Sequence, residues 1–394
     1  MSQPSVVVVG AGVIGAWTAR WLAEAGHAVT LVDQYAPASP LATSADETRV
    51  TRSAHGEDRH YPAWQRRALA LWLALDPTLF VATGVLWLAR APDGMEAASL
   101  ATLKAMGVPA ERLSADEVAV RWPQVATEDL GWGLFEPEGG VLMARRALLA
   151  TLDAADAAGV RLVRGRVIPP QADAAAARLD RLRLADGAEL EADAFVFAAG
   201  PWLGRLFSDL LGTDALAVTR QEVVYFATPP GDGRFKADAL PTWAEYDAAI
   251  YGLPSIDGRG LKVAPDRPGP LTDPDTQERV IGERSVATAR AYLRRRFPAM
   301  AAQPVSDGRV CQYASTPDAH FIIDRHPAWA NAWIAGGGSG HAFKHGPVIG
   351  EYAAALVTGD ARRAGELAPP DGRFRLAKRA RAGSGLRTSG AEDA

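Results

Sequence analysis

The chain has 394 residues, 48% apolar and 22% charged, which is too long for one small core and argues against a disordered or membrane-embedded chain. Its 42 basic residues stand against 46 acidic ones, a net charge of −4, so no basic excess points to nucleic acid as a partner. A single cysteine, Cys311, excludes an internal disulfide and a cysteine metal cluster, and only Lys104, Lys236, Lys262, Lys344 and Lys378 are lysines, so each carries information.

In chain order, 5–9 is a β-branched run suited to a parallel strand buried on both faces. Gly10-Ala11-Gly12-Val13-Ile14-Gly15 follows, then a helix over 16–25 that stops at Gly26 and a strand over 28–32 ending in Asp33. These pieces make a βαβ unit. The apolar stretch at the N-terminus soon meets Gly10, Gly12, Arg20 and Glu24, so neither a signal peptide nor a membrane helix is expected. A soluble cytoplasmic protein is the expectation.

The spacing of Leu69, Trp72, Leu73 and Leu75 predicts a helix over 65–75. Short strands at 85–88 and 131–135 flank a helix over 95–106, and 145–158 is helical again. A buried strand over 193–200 ends at small residues. Strands with turns at Pro229-Pro230-Gly231 and Asp257-Gly258 occupy 219–265, and a Pro/Gly/Asp-rich connection over 265–275 leads to a helix over 288–297. Short strands at 321–324 and 332–335 precede a glycine run and a helix over 347–357. The Arg/Gly/Ser-rich tail, 378–394, reads as disordered. There are no internal repeats.

Three groups of residues carry chemistry. In the glycine motif, Gly10 permits a tight turn, Gly12 lets backbone approach a pyrophosphate, and Gly15 lets helix and strand pack closely. Asp33 would accept hydrogen bonds from a ribose, and an acid there disfavours NADP; FAD and NAD stay undistinguished. The second group is Arg49 and Arg52, which share a helical face or straddle a turn, and arginines so spaced are more often solvated. The third joins Cys311 and His320-Phe321-Ile322-Ile323-Asp324 to Gly336 through Lys344, where glycines before a helix suit close approach to a cofactor. The seven histidines show no ligand spacing, so no metal site is expected.

Taken together these residues resemble the monomeric sarcosine oxidase family of FAD-dependent amine oxidases, which includes N-methyl amino acid oxidases, within the wider D-amino-acid-oxidase-like group. The resemblance runs through Thr48-Arg49, Arg52, Ala198-Ala199-Gly200-Pro201-Trp202, Tyr251-Gly252-Leu253-Pro254, Gly260-Leu261-Lys262 and Cys311 to Lys344; 90–140 and 205–240 match only in general character. It implies an α/β fold: a doubly wound, glutathione-reductase-like FAD domain (1–84, 141–218 and 308–377) and a mixed-sheet α+β substrate domain (85–140 and 219–307).

The resemblance also implies roles. Cys311 would bond covalently to the flavin 8α-methyl, where the residue alone would read as a small buried hydrophobe. Arg52 and Lys344 would clamp the substrate carboxylate, Lys262 would activate dioxygen, Arg49 would lie beside the flavin and Tyr251 would line the pocket. The implied cofactor contacts are Gly10, Gly12, Val13, Ile14, Gly15, Asp33, Gln34, Ser44, Thr48, Val167, Ala199, Gly200, Trp202, Cys311, Gly337, Gly338, Ser339, Gly340, His341 and Lys344. Two places depart from the pattern. Asp266 stands where the family often has a histidine, as site residue or in solvent, and Ser44-Ala45-Asp46 replaces a histidine-bearing segment. The expected substrate is therefore a secondary or N-substituted amino acid other than sarcosine. Trp243 and Tyr246 are candidates to shape a larger pocket, although aromatics so spaced are more often core. The expected products are an imine, then a carbonyl compound and amine, with hydrogen peroxide from dioxygen. The expected enzyme is a monomer without membrane or nucleic-acid partners. The alternatives are a flavin-dependent amine dehydrogenase feeding a carrier and a non-catalytic FAD-binding module.

Overall fold

The computed structural model describes residues 3–171 and 177–376. Two large sheets organise it. The first has six strands in the spatial order Ile322–Arg325, Ala332–Gly336, Ala194–Phe197, Ser5–Val9, Ala28–Asp33 and Arg161–Arg164. Neighbours are parallel except the first pair, which is antiparallel. The valine run of Ser5–Val9 explains its inner position. Val6 and Val8 pack with the helices Val13–Glu24, Ala144–Ala157 and Gly346–Thr358, whereas Val7 and Val9 face the opposite layer. That layer holds the ribbon of Arg181–Arg183 and Glu189–Glu191 and the short helix Leu203–Leu206. Each fully buried valine contributes roughly 1.5–3 kcal/mol.

The second sheet has eight strands in the order Val305–Ser315, Ala217–Phe226, Leu261–Pro265, Ile250–Leu253, Thr242–Glu245, Val85–Ala89, Trp132–Glu136 and Glu111–Ser114. It is mixed, because Thr242–Glu245 runs parallel to Val85–Ala89 while the other pairs are antiparallel. The helix Glu283–Arg296 packs on it through Ala289, Tyr292 and Leu293, and its buried Arg296 pairs with buried Glu245 at 3.2 Å. A small third sheet joins Arg49–Thr51, Gly140–Leu142 and Phe80–Val81.

The α/β class and the mixed second sheet are those expected, but four details differ from the sequence reading. The first helix begins at Val13, directly after Gly12, rather than at 16. The helix expected at 288 begins at Glu283, because the Glu222 carboxylate accepts the Gly282 N–H at 2.8 Å and fixes the helix start, where Glu283 favours the dipole. Arg49–Thr51 is a strand, so Arg49 and Arg52 do not share a helical face. The boundary expected at 308 falls inside Val305–Ser315, whose ladder with Ala217–Phe226 continues until Ser315 lies opposite Ala217. The expected tail, 378–394, lies outside the described residues. No described helix is long and apolar enough to cross a membrane.

Candidate active site

The strand Ser5–Val9 ends at Gly10, whose φ of +103° suits only glycine and whose N–H donates to Val32 O at 2.7 Å. A Cβ on Gly15 would lie 1.8 Å from Gly10 O, so the helix starts pressed against the turn. Ser44 Oγ accepts the Val13 N–H at 3.0 Å. The Asp33 carboxylate accepts N–H groups from Ala11 (2.7 Å) and Tyr35 (2.8 Å); burial pushes its pKa up against their pull. Residues distant in sequence thus fasten the glycine turn, with the N-terminus of the helix opening onto a cavity.

That cavity measures about 1440 Å³. It exceeds the roughly 300–1,000 Å³ of ordinary small-molecule clefts, which suits a dinucleotide and a substrate together. Gly10, Gly12, Val13, Ile14, Asp33, Gln34, Ser44, Val167, Ala199, Gly200 and Trp202 line one part. Arg49, Arg52, Tyr251, Cys311, Gly337, Gly338, Ser339, Gly340, His341 and Lys344 line the rest. The narrow turn, the helix N-terminus facing the cavity and the acid at Asp33 fit the adenosine diphosphate part of FAD. Three expected site residues do not line the cavity. Gly15 is packed against the turn, and Thr48 and Lys262 are buried behind Asp46.

Lys262 Nζ pairs with Asp46 Oδ2 at 2.5 Å and donates to Thr48 O at 3.1 Å. Arg49 binds the same Asp46 carboxylate at 2.9 Å and donates to the carbonyls of Thr43 and Thr48, each at 2.9 Å. Burial would raise Asp46, but Lys262 and Arg49 outweigh it and hold the carboxyl at about 2. Asp46 has a φ of +77°, unusual for a non-glycine residue, and this turn of the backbone delivers its carboxylate between the two cations. The sequence reading noted Asp46 only as a departure and missed its role as counter-ion to Lys262.

Arg52 lies over the Trp87 ring at 4.9 Å and donates to Ala54 O. Buried Glu136 fixes this corner by accepting from Ser53 N (2.6 Å), Ala54 N (3.1 Å) and Trp87 Nε1 (2.7 Å). Glu136 was also missed; a lone acid ending the apolar strand Trp132–Glu136 was the available signal. Lys344 Nζ donates to His341 O at 3.1 Å. Cys311 Sγ lies 3.9 Å from Arg49 Nη2. Asp266 belongs to the cavity wall, which overturns the reading that turns it to solvent: Tyr313 O–H donates to it at 2.9 Å. Tyr246 and Trp243 both line the wall, Trp243 being almost wholly buried and packed on Phe297 at 4.5 Å. The histidines, spread along the sequence, converge here: His55, His341 and His345 approach one another.

A family model described as FAD dependent oxidoreductase matches residues 5–356. Monomeric sarcosine oxidase of Bacillus sp. (strain NS-129) is 32% identical over 363 residues, covering 90% of this chain and 92% of that protein. N-methyl-L-tryptophan oxidase of Salmonella enteritidis is 27% identical over 369 residues, covering 90% and 94%. Among solved structures, fructosyl peptide oxidase from E. terrenum superposes with a TM-score of 0.82 at 23% identity, over 98% of this chain and 94% of that one.

Proposed function

Because the chain belongs to the FAD dependent oxidoreductase family, we propose that it is an oxidase of a secondary or N-substituted amino acid. The amine loses two electrons and two protons to give an imine, dioxygen becomes hydrogen peroxide, and water hydrolyses the imine to a carbonyl compound and an amine. FAD, when bound, supplies the two-electron acceptor. The observation that carries the reading is that Arg52 and Lys344 line the same cavity as the glycine turn. Two cations there hold a carboxylate and so fix the adjacent C–N bond in one position. Tyr251, Tyr246 and Asp266 bound the space for the N-substituent, and an acid in that wall favours a group larger and more polar than methyl. The names of the relatives, which act on sarcosine, N-methyl-tryptophan and fructosyl peptides, share an N-substituted amino acid. The six-stranded sheet serves the dinucleotide and the eight-stranded sheet the substrate. Cys311, in the cavity wall, carries the flavin covalently, and the enzyme acts as a monomer.

A flavin dehydrogenase is the second reading. The Asp46 carboxylate on Lys262 favours it, since an ammonium so neutralised attracts oxygen species less strongly. A panel of N-methyl, cyclic and N-glycated amino acids separates the two. Peroxide formed in step with amine consumption supports the oxidase, whereas reduction of an added dye without peroxide supports the dehydrogenase. A panel that neither yields peroxide nor bleaches the flavin leaves only a binding module. Arg52→Ala should lower kcat/KM by roughly 10²-fold or more; equal oxidation of carboxylate-free amines would sink the clamp. Acid-precipitated protein should stay yellow, and flavin that washes out would refute attachment through Cys311.

A further inference from the structure

Five of the chain's seven histidines surround one buried tyrosine. The rings of His55, His60, His320, His341 and His345 have centroids within 6.1 Å of Tyr61. Three of them, His55, His341 and His345, are buried and bring one ring nitrogen each within 4.8 Å of the others. The segment after Arg49–Thr51 supplies His55, the end of the glycine run supplies His341, and the last residue of Phe343–His345 is His345.

Their hydrogen bonds settle where the protons sit. His55 Nδ1 lies 2.9 Å from Ser53 O, and His341 Nε2 lies 2.9 Å from Ala319 O. A carbonyl only accepts, so these nitrogens carry the protons, and in a neutral ring the lone pair is left on His55 Nε2 and on His341 Nδ1. A ring anchored to a backbone carbonyl through one nitrogen, with its lone pair on the other, is the arrangement that orients histidine towards a metal. His55 Nε2 and both nitrogens of His345 are buried with no hydrogen-bond partner among the described residues. Each orphaned polar atom costs free energy that a bound ligand would recover.

We propose that His55, His341 and His345 form a three-imidazole site for a zinc-class divalent ion, with its fourth position open to an anion. All-nitrogen donors without a carboxylate disfavour magnesium and calcium and suit zinc. Bonds of about 2.1 Å in a tetrahedral set need nitrogens about 3.4 Å apart. To reach that spacing the His345 ring, packed against Tyr61, Trp64 and Phe321, would have to turn, which would break no hydrogen bond. Arg52 and Lys344 oppose a bare cation, so hydroxide or a carboxylate completes the site and lowers its charge. The proposal does not depend on the redox reading.

The test uses untagged, FAD-loaded protein. It is stripped with a chelator, desalted, mixed with equimolar Zn²⁺, desalted again and assayed for zinc and protein. Wild type should retain about one zinc per chain, whereas His55→Gln and His345→Gln should bind at least about 10-fold more weakly. Cys311→Ser should retain zinc like wild type. Wild type that retains no zinc overturns the proposal without reference to any variant. Retention by both histidine variants equal to wild type, in protein with a normal flavin spectrum and circular dichroism, overturns it too, as does loss of zinc only in Cys311→Ser.

Discussion

Two buried acids respond to pH in opposite directions. Asp46 sits at about 2 in the folded chain against an ordinary 3.8, because Lys262 and Arg49 outweigh the burial that would raise it. Its contribution, about 2 kcal/mol, is present above pH 4 and is lost as pH falls from about 4 to 2. Asp46→Asn also leaves Lys262 buried without its counter-ion, at a cost of about 3–5 kcal/mol. Urea midpoints should show that deficit at pH 6 and a narrower one near pH 2; a deficit independent of pH would contradict the pairing. Glu96, in the first turn of Met95–Ala105, goes the other way. Burial, with Asp247 adding to it, pushes its carboxyl up to about 7, and its Oε1 has no partner among the described residues. A raised acid is tolerated while protonated, so its stability is whole below about pH 4.5 and is lost as pH rises through 7. Glu96→Gln should match wild type at pH 4.5 and exceed it by about 1–3 kcal/mol at pH 8.5, read from melting curves. No gain at pH 8.5 would mean that the carboxylate finds solvent.

The βαβ unit depends on one close contact between elements. Gly15→Ala drives a methyl into Gly10 O and must lift the helix Val13–Glu24 off the strand. The purified variant should be colourless or melt well below wild type, whereas Gly233→Ala, with nothing within 4 Å of the added methyl, should do neither. Retained flavin and an unchanged midpoint in Gly15→Ala would count against the turn. This unit was readable from sequence because its cues are local: a β-branched run, three glycines and an acid ending the next strand. The start of Glu283–Arg296 was not, since Glu222 supplies its cap from another strand. The helical face offered for Arg49 and Arg52, as against a turn, failed for a similar reason, a three-residue strand being too short to show a period. The pairing of Lys262 with Asp46 needed a positive φ that no pattern announces. The histidine cluster is formed by segments near both ends of the chain, and only the fold brings them together.

At the scale of the molecule, the cavity draws residues from both large sheets, so a dinucleotide bound there should brace them against each other. In Cys311→Ser, where FAD should exchange freely, saturation at 1,000 times Kd should add about 4 kcal/mol of stability. Calorimetry should show one transition moving up with FAD; a midpoint indifferent to FAD would refute the bracing. The ladder between Ala217–Phe226 and Val305–Ser315 has a further consequence. Since Ala217 lies opposite Ser315, the stretch 217–315 departs and returns at neighbouring points, about 5 Å apart. It can therefore be exchanged as a cassette with two adjoining covalent seams, provided that the ladder of Thr242–Glu245 with Val85–Ala89 is kept. Tyr246, Tyr251, Asp266 and Cys311 lie within it, whereas Arg52 and Lys344 stay behind with the host. On the proposed carboxylate clamp, a chimaera cut at these seams should inherit the donor's taste in N-substituents and keep the host's demand for a carboxylate, so that one half of the substrate could be traded while the other is conserved.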